Sequence, residues 1–168
     1  MIIPNVNYIK DLLINSRHFP SDKIHVVNRG INLSRFEIDV DKNKYSSHNV
    51  LFVGPNAERK GALYVVKSAP EILRSFPDAS FTIIGSSSFL YKNKMLSFVN
   101  KNNLKNKFTF IDHLPQSELL TYYSKANVFV MPSLMEAFGQ VYLEALATKT
   151  PIIGSNVGGV PDIISSDV

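Results

Sequence analysis

The chain has 168 residues, of which 45% are apolar and 19% are charged, a length that suits one globular domain. It contains no cysteine, which excludes disulfides, thiolate metal sites and cysteine nucleophiles. Its net charge of +4 suits a small anionic ligand and is too low for a typical nucleic-acid-binding protein, so we expect no nucleic-acid partner. We find neither a secretion-signal pattern nor a run of about 18 apolar residues, and we therefore expect a soluble, cytoplasmic protein.

Residues 1–49 differ in composition from the rest of the chain. They contain one short apolar run, 24–27, and a polar stretch, 39–49. We interpret residues 1–49 as a lead-in and interdomain linker, and residues 50–168 as the folded domain. The chain stops shortly after a Gly-Gly-Val-Pro turn at 158–161 that should begin another helix, so we expect the domain to be truncated at its C-terminal end.

Five short apolar runs follow, separated by segments in which apolar residues have helical spacing. The runs lack the alternation of half-exposed strands, which is typical of strands covered on both faces. Strand and helix alternate, which predicts an α/β fold with a doubly wound parallel sheet. Pro70 lies in the first helical segment and predicts a kink or a split near Ala69, because proline removes a backbone hydrogen bond. The predicted strands are Val50–Val53, Phe81–Ile84, Phe108–Ile111, Val128–Met131 and Ile152–Ile153.

A basic segment runs from Lys92 to Lys107. It contains five lysines and no acidic residue, and apolar side chains are interleaved with the lysines. This pattern predicts a basic amphipathic helix. Two interpretations are open: a solvated face on a surface helix, and peripheral contact with the anionic inner face of a membrane.

Glu136 and Glu144 bracket the start of a predicted helix over residues 140–147. This helix is apolar almost all round and should be buried, so Glu144 needs a partner, which could be a ligand hydroxyl, a backbone group or a cation. The free N–H groups and the dipole at the helix start suit an anion such as a diphosphate. These N–H groups belong to Phe138, Gly139, Gln140 and Val141.

Two interpretations of the paired glutamates follow from the residues alone. In the first, the two carboxylates hold hydroxyl-rich groups on either side of a diphosphate, which describes a nucleotide sugar. In the second, Glu136 interacts favourably with the helix dipole and Glu144 forms a purely structural pair.

The two glutamates belong to a longer set of motifs. These are Asn28-x-Gly30-Ile31-Asn32, Val53-Gly54-Pro55-x-x-x-Arg59-Lys60-Gly61, Pro132-Ser133-x-x-Glu136-x-Phe138-Gly139-x-x-x-x-Glu144-Ala145 and Gly158-Gly159-Val160-Pro161. Together they resemble the C-terminal, donor-binding half of the family 4 retaining glycosyltransferases, over residues 24–164. The resemblance implies a Rossmann-like domain from a two-domain GT-B enzyme.

The resemblance also implies a role for each matching residue. Lys60 would contact the diphosphate of the donor, and Glu136 would accept hydroxyls of the donor sugar, so these two are the candidate catalytic residues. Backbone N–H groups of residues 138–141 would lie near the phosphates, and Glu144 would hold both ribose hydroxyls. Leu114 would lie against the nucleobase, although it could equally be a core residue.

Some positions depart from the family pattern. Pro55 stands where arginine is common, so one cationic contact to the diphosphate is missing unless Arg59 replaces it. Lys149 stands where glycine is usual, and Asp162 stands where glutamate is usual. The triplet Asp39-Val40-Asp41 matches a motif of metal-dependent glycosyltransferases of another fold, but it has no strand context, and we assign it no role.

The resemblance thus implies a retaining glycosyltransferase (hexosyltransferase class) of polysaccharide biosynthesis. It would move a sugar from a UDP-, GDP- or ADP-sugar to a glycan, lipid or other acceptor and would need no metal or cofactor. An N-terminal GT-B domain, absent from this chain, would supply the acceptor site, so the chain alone should be inactive. Two alternatives stay open. One is a nucleotide-sugar epimerase of the same architecture, and the other is a non-catalytic nucleotide-sugar-binding module.

Overall fold

A computed structural model describes residues 1–37, 47–55 and 57–164. Its centre is a parallel five-stranded sheet with the strand order β3-β2-β1-β4-β5. The predicted apolar runs are the strands, which confirms both the α/β class and the parallel sheet. The strands are β1 (Asn49–Val53), β2 (Ser80–Ile84), β3 (Phe108–Ile111), β4 (Val128–Met131) and β5 (Ile152–Gly154).

Six α-helices connect or flank the strands in the described part of the chain. They are α1 (Asn7–Arg17), α2 (Ala57–Lys60), α3 (Ala62–Ser75), α4 (Phe89–Lys101), α5 (Gln116–Lys125) and α6 (Gln140–Ala147). Right-handed crossovers place α3 and α4 on one face of the sheet and α5 and α6 on the other, and the contacts of α3 with α4 and of α5 with α6 agree. Within the described ranges, every helix is too short or too polar to serve as a bilayer span.

The core lies between the sheet and both helix layers. Phe52, Phe81 and Phe129, one from each of three adjacent strands, are almost completely buried, which explains why these strands are predominantly apolar. The strand order reverses between β1 and β4, so the loops that follow these two strands flank the switch point of the sheet. Open α/β sheets bind ligands at this place.

The prediction of a split near Ala69 is wrong, because α3 continues through Pro70. Proline withdraws one hydrogen-bond donor from the helix, whereas Val65, Val66 and Ala69 anchor the turns around it in the core. The basic segment is helical as predicted, but only as far as Lys101, where α4 ends.

The lead-in segment contains one helix that the sequence did not predict, α1. It follows a parallel bridge between Ile2 and Ile24, and Val6, directly before it, is fully buried. No side chain of α1 itself is buried, so the helix lacks the strong apolar periodicity from which helices are predicted. Asp39-Val40-Asp41 lies outside the described residues.

Candidate functional site

The candidate site lies where the loops after β1 and β4 meet at the switch point of the sheet. The N–H of Leu134 donates to the carbonyl oxygen of Arg59 at 2.9 Å, which ties the two loops together. Gly61 is in the left-handed region (φ +84°), and a Cβ there would lie 2.1 Å from the carbonyl oxygen of Pro132. Only glycine allows this approach, so the sequence Lys60-Gly61 fixes Lys60 against the β4 loop.

Lys60 and Glu136 form a buried ion pair between these loops. Their side chains are 11% and 8% exposed, and the Lys60 ammonium contacts Oε2 of Glu136. The other carboxylate oxygen, Oε1, accepts the N–H of Phe138 at 3.3 Å. The structure therefore brings together two residues for which the sequence suggested separate ligand contacts, and each neutralises the charge of the other.

Helix α6 begins at Gln140, after Gly139 in the left-handed conformation. The sequence predicted free N–H groups from Phe138 to Val141, and for Phe138 this is wrong, because its N–H is bonded to Glu136. A carboxylate two residues away reaches this donor because the chain turns sharply before the helix. The N–H groups of Gln140 and Val141 lie in the first turn, where helical donors have no intrahelical acceptor.

Glu144 is buried on α6 and has two side-chain partners. The hydroxyl of Tyr123 on α5 donates to Oε2 at 3.1 Å, and the side-chain amide of Gln140 donates to Oε1 at 3.2 Å. Burial raises the pKa of Glu144, while these hydrogen bonds and the positive charge of Arg29 oppose the increase. Both donors are uncharged, so neither of them neutralises the negative charge of the Glu144 carboxylate.

A third loop, after β5, packs beneath Glu136. Gly158 has a φ of +56°, and a Cβ at this position would lie 1.8 Å from the carbonyl oxygen of Glu136. The next N–H, of Gly159, donates to that same oxygen at 3.1 Å. The Gly-Gly pair thus supports the backbone of the β4 loop, which gives this motif a structural role at the site.

Asp162 follows this loop and contacts the start of α1. Its Oδ2 accepts the backbone N–H of Asn7 at 2.6 Å, and its Oδ1 accepts the Asn7 side-chain amide at 3.3 Å. The carboxylate therefore caps a helix that has no side-chain cap of its own. This contact explains why an acidic residue stands at position 162.

The sequence also singled out Arg59, Leu114 and Lys149, whose surroundings differ. Arg59 is exposed, directly before Lys60, and Leu114 is half-buried against the core. Lys149 has a left-handed φ of +56° at the end of α6, where the N–H groups of Lys149 and Thr150 donate to the carbonyls of Leu146 and Ala145. This Schellman arrangement explains why glycine is usual at this position.

Three residues near the site were not predicted from the sequence to act there. Tyr123 donates to Glu144, Arg29 adds positive charge near Glu144, and the hydroxyl of Tyr142 donates to the carbonyl of Met131 at 2.6 Å. Burial, followed by the Glu136 charge, raises the pKa of Tyr142. The apolar spacing of the tyrosines indicated only core packing. In the described ranges, no three His, Asp or Glu side chains are arranged to hold a metal ion.

Comparisons with known proteins agree with this architecture. The family model described as glycosyl transferases group 1 matches residues 34–168. An uncharacterized glycosyltransferase of Methanocaldococcus jannaschii is 29% identical over 95% of this chain and 43% of its own length. The D-inositol 3-phosphate glycosyltransferase of Paenarthrobacter aurescens is 31% identical over 98% of this chain and 42% of its own length.

Among solved structures, Anabaena HepE in complex with UDP-glucose superposes with a TM-score of 0.83. The superposition covers 100% of this chain and 48% of HepE at 16% identity, which is a likeness of fold. The chain spans less than half the length of the curated relatives described above.

Proposed function

Because the chain belongs to the glycosyl transferases of group 1 and has the C-terminal GT-B fold of that family, we propose that it binds the nucleotide-sugar donor of a glycosyltransferase. The observation that carries this proposal is the meeting of Lys60 and Glu136 at the switch point, beside the start of α6. In this proposal residues 50–168 are the donor domain, and residues 1–49 are the lead-in and interdomain linker. The donor is a UDP-, GDP- or ADP-sugar.

The diphosphate of the donor occupies the start of α6 in this proposal. The N–H groups of residues 139–141 and the ammonium of Lys60 are the donors, with Arg59 as an additional cation at the rim. An ammonium has three N–H donors, so Lys60 can hold Glu136 and a phosphate oxygen at once. When the nucleotide diphosphate leaves, negative charge develops on its phosphates, and these fixed donors stabilise that charge. We propose retention at the anomeric carbon without a metal ion.

Glu144 binds the ribose in this proposal, with the nucleobase against Leu114. A carboxylate accepts about four hydrogen bonds, and Tyr123 and Gln140 account for two of them. The remaining capacity matches two vicinal ribose hydroxyls. Tyr123 and Gln140 thus orient the carboxylate before the donor arrives. Glu136 lies in the loop between β4 and α6 and accepts hydrogen bonds from hydroxyls of the transferred sugar.

The acceptor is proposed to bind a second, N-terminal GT-B domain outside this chain. The acceptor is a glycan, a lipid or another hydroxyl-bearing molecule, and the full protein acts in the cytoplasm. This chain alone is then expected to bind donor weakly and to transfer no sugar. Pro55, in place of the common arginine, favours a second candidate, a nucleotide-sugar-binding module without turnover.

Calorimetric titration of the chain with UDP, GDP and ADP, and then with the matching nucleotide sugars, tests the donor site. We expect saturable binding of one nucleotide without added metal. Glu144→Gln should weaken this binding by about 1.5–3 kcal/mol, because charge-assisted hydrogen bonds to ribose are lost. Glu118→Gln, at an exposed position on α5, is the matched control and should bind like the wild type.

Two results would contradict the proposal. Unchanged binding in Glu144→Gln would refute the ribose role, and absence of nucleotide binding by the full-length protein would refute the donor site. Transfer or donor hydrolysis by the full-length protein separates the enzyme from the non-catalytic module. The anomeric configuration of its product, read by NMR, tests retention.

A further inference from the structure

The outer surface of α3 and α4 carries large apolar side chains that face solvent. Phe89 and Leu90, at the start of α4, are 77% and 74% exposed, and Tyr64 on the neighbouring α3 is 53% exposed. These residues are not needed in the core, because α4 is anchored there by Tyr91, Met95 and Val99. Neighbouring exposed side chains of this size are typical of interaction surfaces.

The groove between the two helices continues this surface. It has a volume of about 550 Å³ and is lined by apolar Leu63, Leu90 and Phe98, with Lys67 and Lys94 among the lining residues. Leu90, Lys94 and Lys101 follow helical spacing along the side of α4 that faces away from the core. An apolar strip flanked by lysines therefore runs along the outer layer of the protein.

The charge of this surface is positive. The acidic groups packed around it are few: Asp112 is paired with Lys92 at 2.6 Å, and Glu71 is paired with Arg74 at 2.5 Å. Glu58 on α2 is a further acidic group near α4, since burial raises the pKa of Tyr91 and the negative charge of Glu58 adds to this effect. The exposed lysines Lys67, Lys94 and Lys101 have no carboxylate within ion-pair distance among the described residues.

We propose that this surface, made of Tyr64, Lys67, Phe89, Leu90, Lys94 and Lys101, binds a bilayer that contains anionic phospholipids. Phe89 and Leu90 enter the headgroup and acyl boundary, while the lysines contact the lipid phosphates, which is the balance of forces at an interfacial helix. The partner must be both apolar and negatively charged, and an anionic bilayer combines these properties over the length of a helix.

This contact also orients the candidate site. Helix α4 follows β2 after a short loop, so its first residues lie at the carboxyl edge of the sheet, the edge that carries Lys60 and Glu136. A bilayer that receives Phe89 and Leu90 therefore lies near the switch-point edge. This placement suits a hydroxyl-bearing acceptor that is itself held in the membrane.

Vesicle co-sedimentation of the 168-residue chain, without nucleotide, tests the contact. We expect binding to phosphatidylcholine vesicles that contain about 30 mol% phosphatidylglycerol. We expect little binding to vesicles of phosphatidylcholine alone. Each lysine at an anionic surface raises the partition coefficient about fivefold, so Lys67→Gln/Lys94→Gln/Lys101→Gln should lower it about 100-fold. Raising the salt from about 0.1 M to about 0.5 M should weaken wild-type binding strongly.

Two further variants make the test specific. Phe89→Ser/Leu90→Ser should lower binding at both salt concentrations, because it removes the apolar contribution. The control variant changes the net charge by the same amount at exposed positions elsewhere: Lys23→Gln/Lys125→Gln/Lys149→Gln. It should bind anionic vesicles far more tightly than the triple variant of the proposed surface.

Equal losses in both triple variants would overturn the proposed surface, and so would equal binding to neutral and anionic vesicles or no vesicle binding at all. Circular dichroism confirms that each variant is folded. Because no nucleotide is present, failure here leaves the donor site unaffected, and failure of the donor titration leaves this surface unaffected.

Discussion

Lys60→Met should destabilise the protein strongly, even though it replaces a charged side chain with an apolar one of similar length. The substitution leaves the Glu136 carboxylate, whose side chain is 8% exposed, without its cation. Among the described residues, its other hydrogen-bond partner is the N–H of Phe138, at the long distance of 3.3 Å, which compensates little. Removing one member of a buried ion pair typically costs about 3–5 kcal/mol, and the slight exposure of this pair places the expected loss near 3 kcal/mol.

Urea unfolding followed by circular dichroism measures this loss. With a denaturant dependence of about 2 kcal/mol per M, the midpoint should fall by about 1.5 M. Lys125→Met, at an exposed position on α5, is the matched control and should change the free energy of unfolding by less than about 0.5 kcal/mol. The control separates loss of the pair from a general effect of removing lysine.

A double-mutant cycle isolates the pair itself. Glu136→Gln retains an oxygen acceptor for the N–H of Phe138, so Lys60→Met/Glu136→Gln removes both charges while it keeps that hydrogen bond. The double variant should be more stable than the sum of the single losses predicts, by about 2 kcal/mol. Additive losses, or a loss below about 1 kcal/mol in Lys60→Met, would refute the argument that these charges are buried and mutually dependent.

Four other substitutions test further parts of the structure. Burial raises the pKa of Glu144, so the folded protein holds this proton more tightly than the unfolded chain and loses stability as the pH rises above 4.5. Glu144→Gln should therefore gain stability relative to wild type between pH 4.5 and 7, as measured by urea unfolding. A difference in unfolding free energy between the two proteins that does not change with pH would contradict this. Lys149→Gly should raise the free energy of unfolding by about 0.5–1 kcal/mol, because glycine adopts a φ of +56° without strain; no gain in thermal stability would count against it. Gly158→Ala should lower that free energy by about 2–4 kcal/mol and weaken nucleotide binding, because its Cβ would overlap the carbonyl of Glu136. Asp162→Ala should cost about 1 kcal/mol and speed amide hydrogen exchange in α1 alone, since the cap of that helix is lost; faster exchange in the sheet would show a wider role.

The sheet could be predicted from the sequence because its strands are short and apolar, and the central strands β2, β1 and β4 are largely buried. Apolar runs such as Phe81–Ile84 mark such strands directly, and the glycines that follow several of them indicate the edge where a ligand binds. Helix α1 could not be predicted in the same way, since it buries no side chain and depends on a contact with Asp162. The continuity of α3 through Pro70 depends on core packing, which local pattern does not reveal.

The candidate site was predictable as a set of residues but not as a set of contacts. Motif spacing identified Lys60, Glu136 and Glu144. It did not reveal that Lys60 and Glu136, which are 76 positions apart, neutralise each other, because that pairing depends on the strand order that brings β1 beside β4. Tyr123 was missed as a partner of Glu144 for the same reason, since α5 and α6 meet only in the folded protein.

The contact between Asn7 and Asp162 has a consequence for how the protein folds during synthesis. The two residues are 155 positions apart, so α1 leaves the ribosome long before the carboxylate that caps it has been made. Eleven residues without a buried side chain are too few to form a stable helix alone in water. We therefore expect α1 to become ordered last, after the sheet has formed and the distant cap is in place. A ribosome paused before the codon for Asp162 would carry a chain in which residues 7–17 are not yet helical.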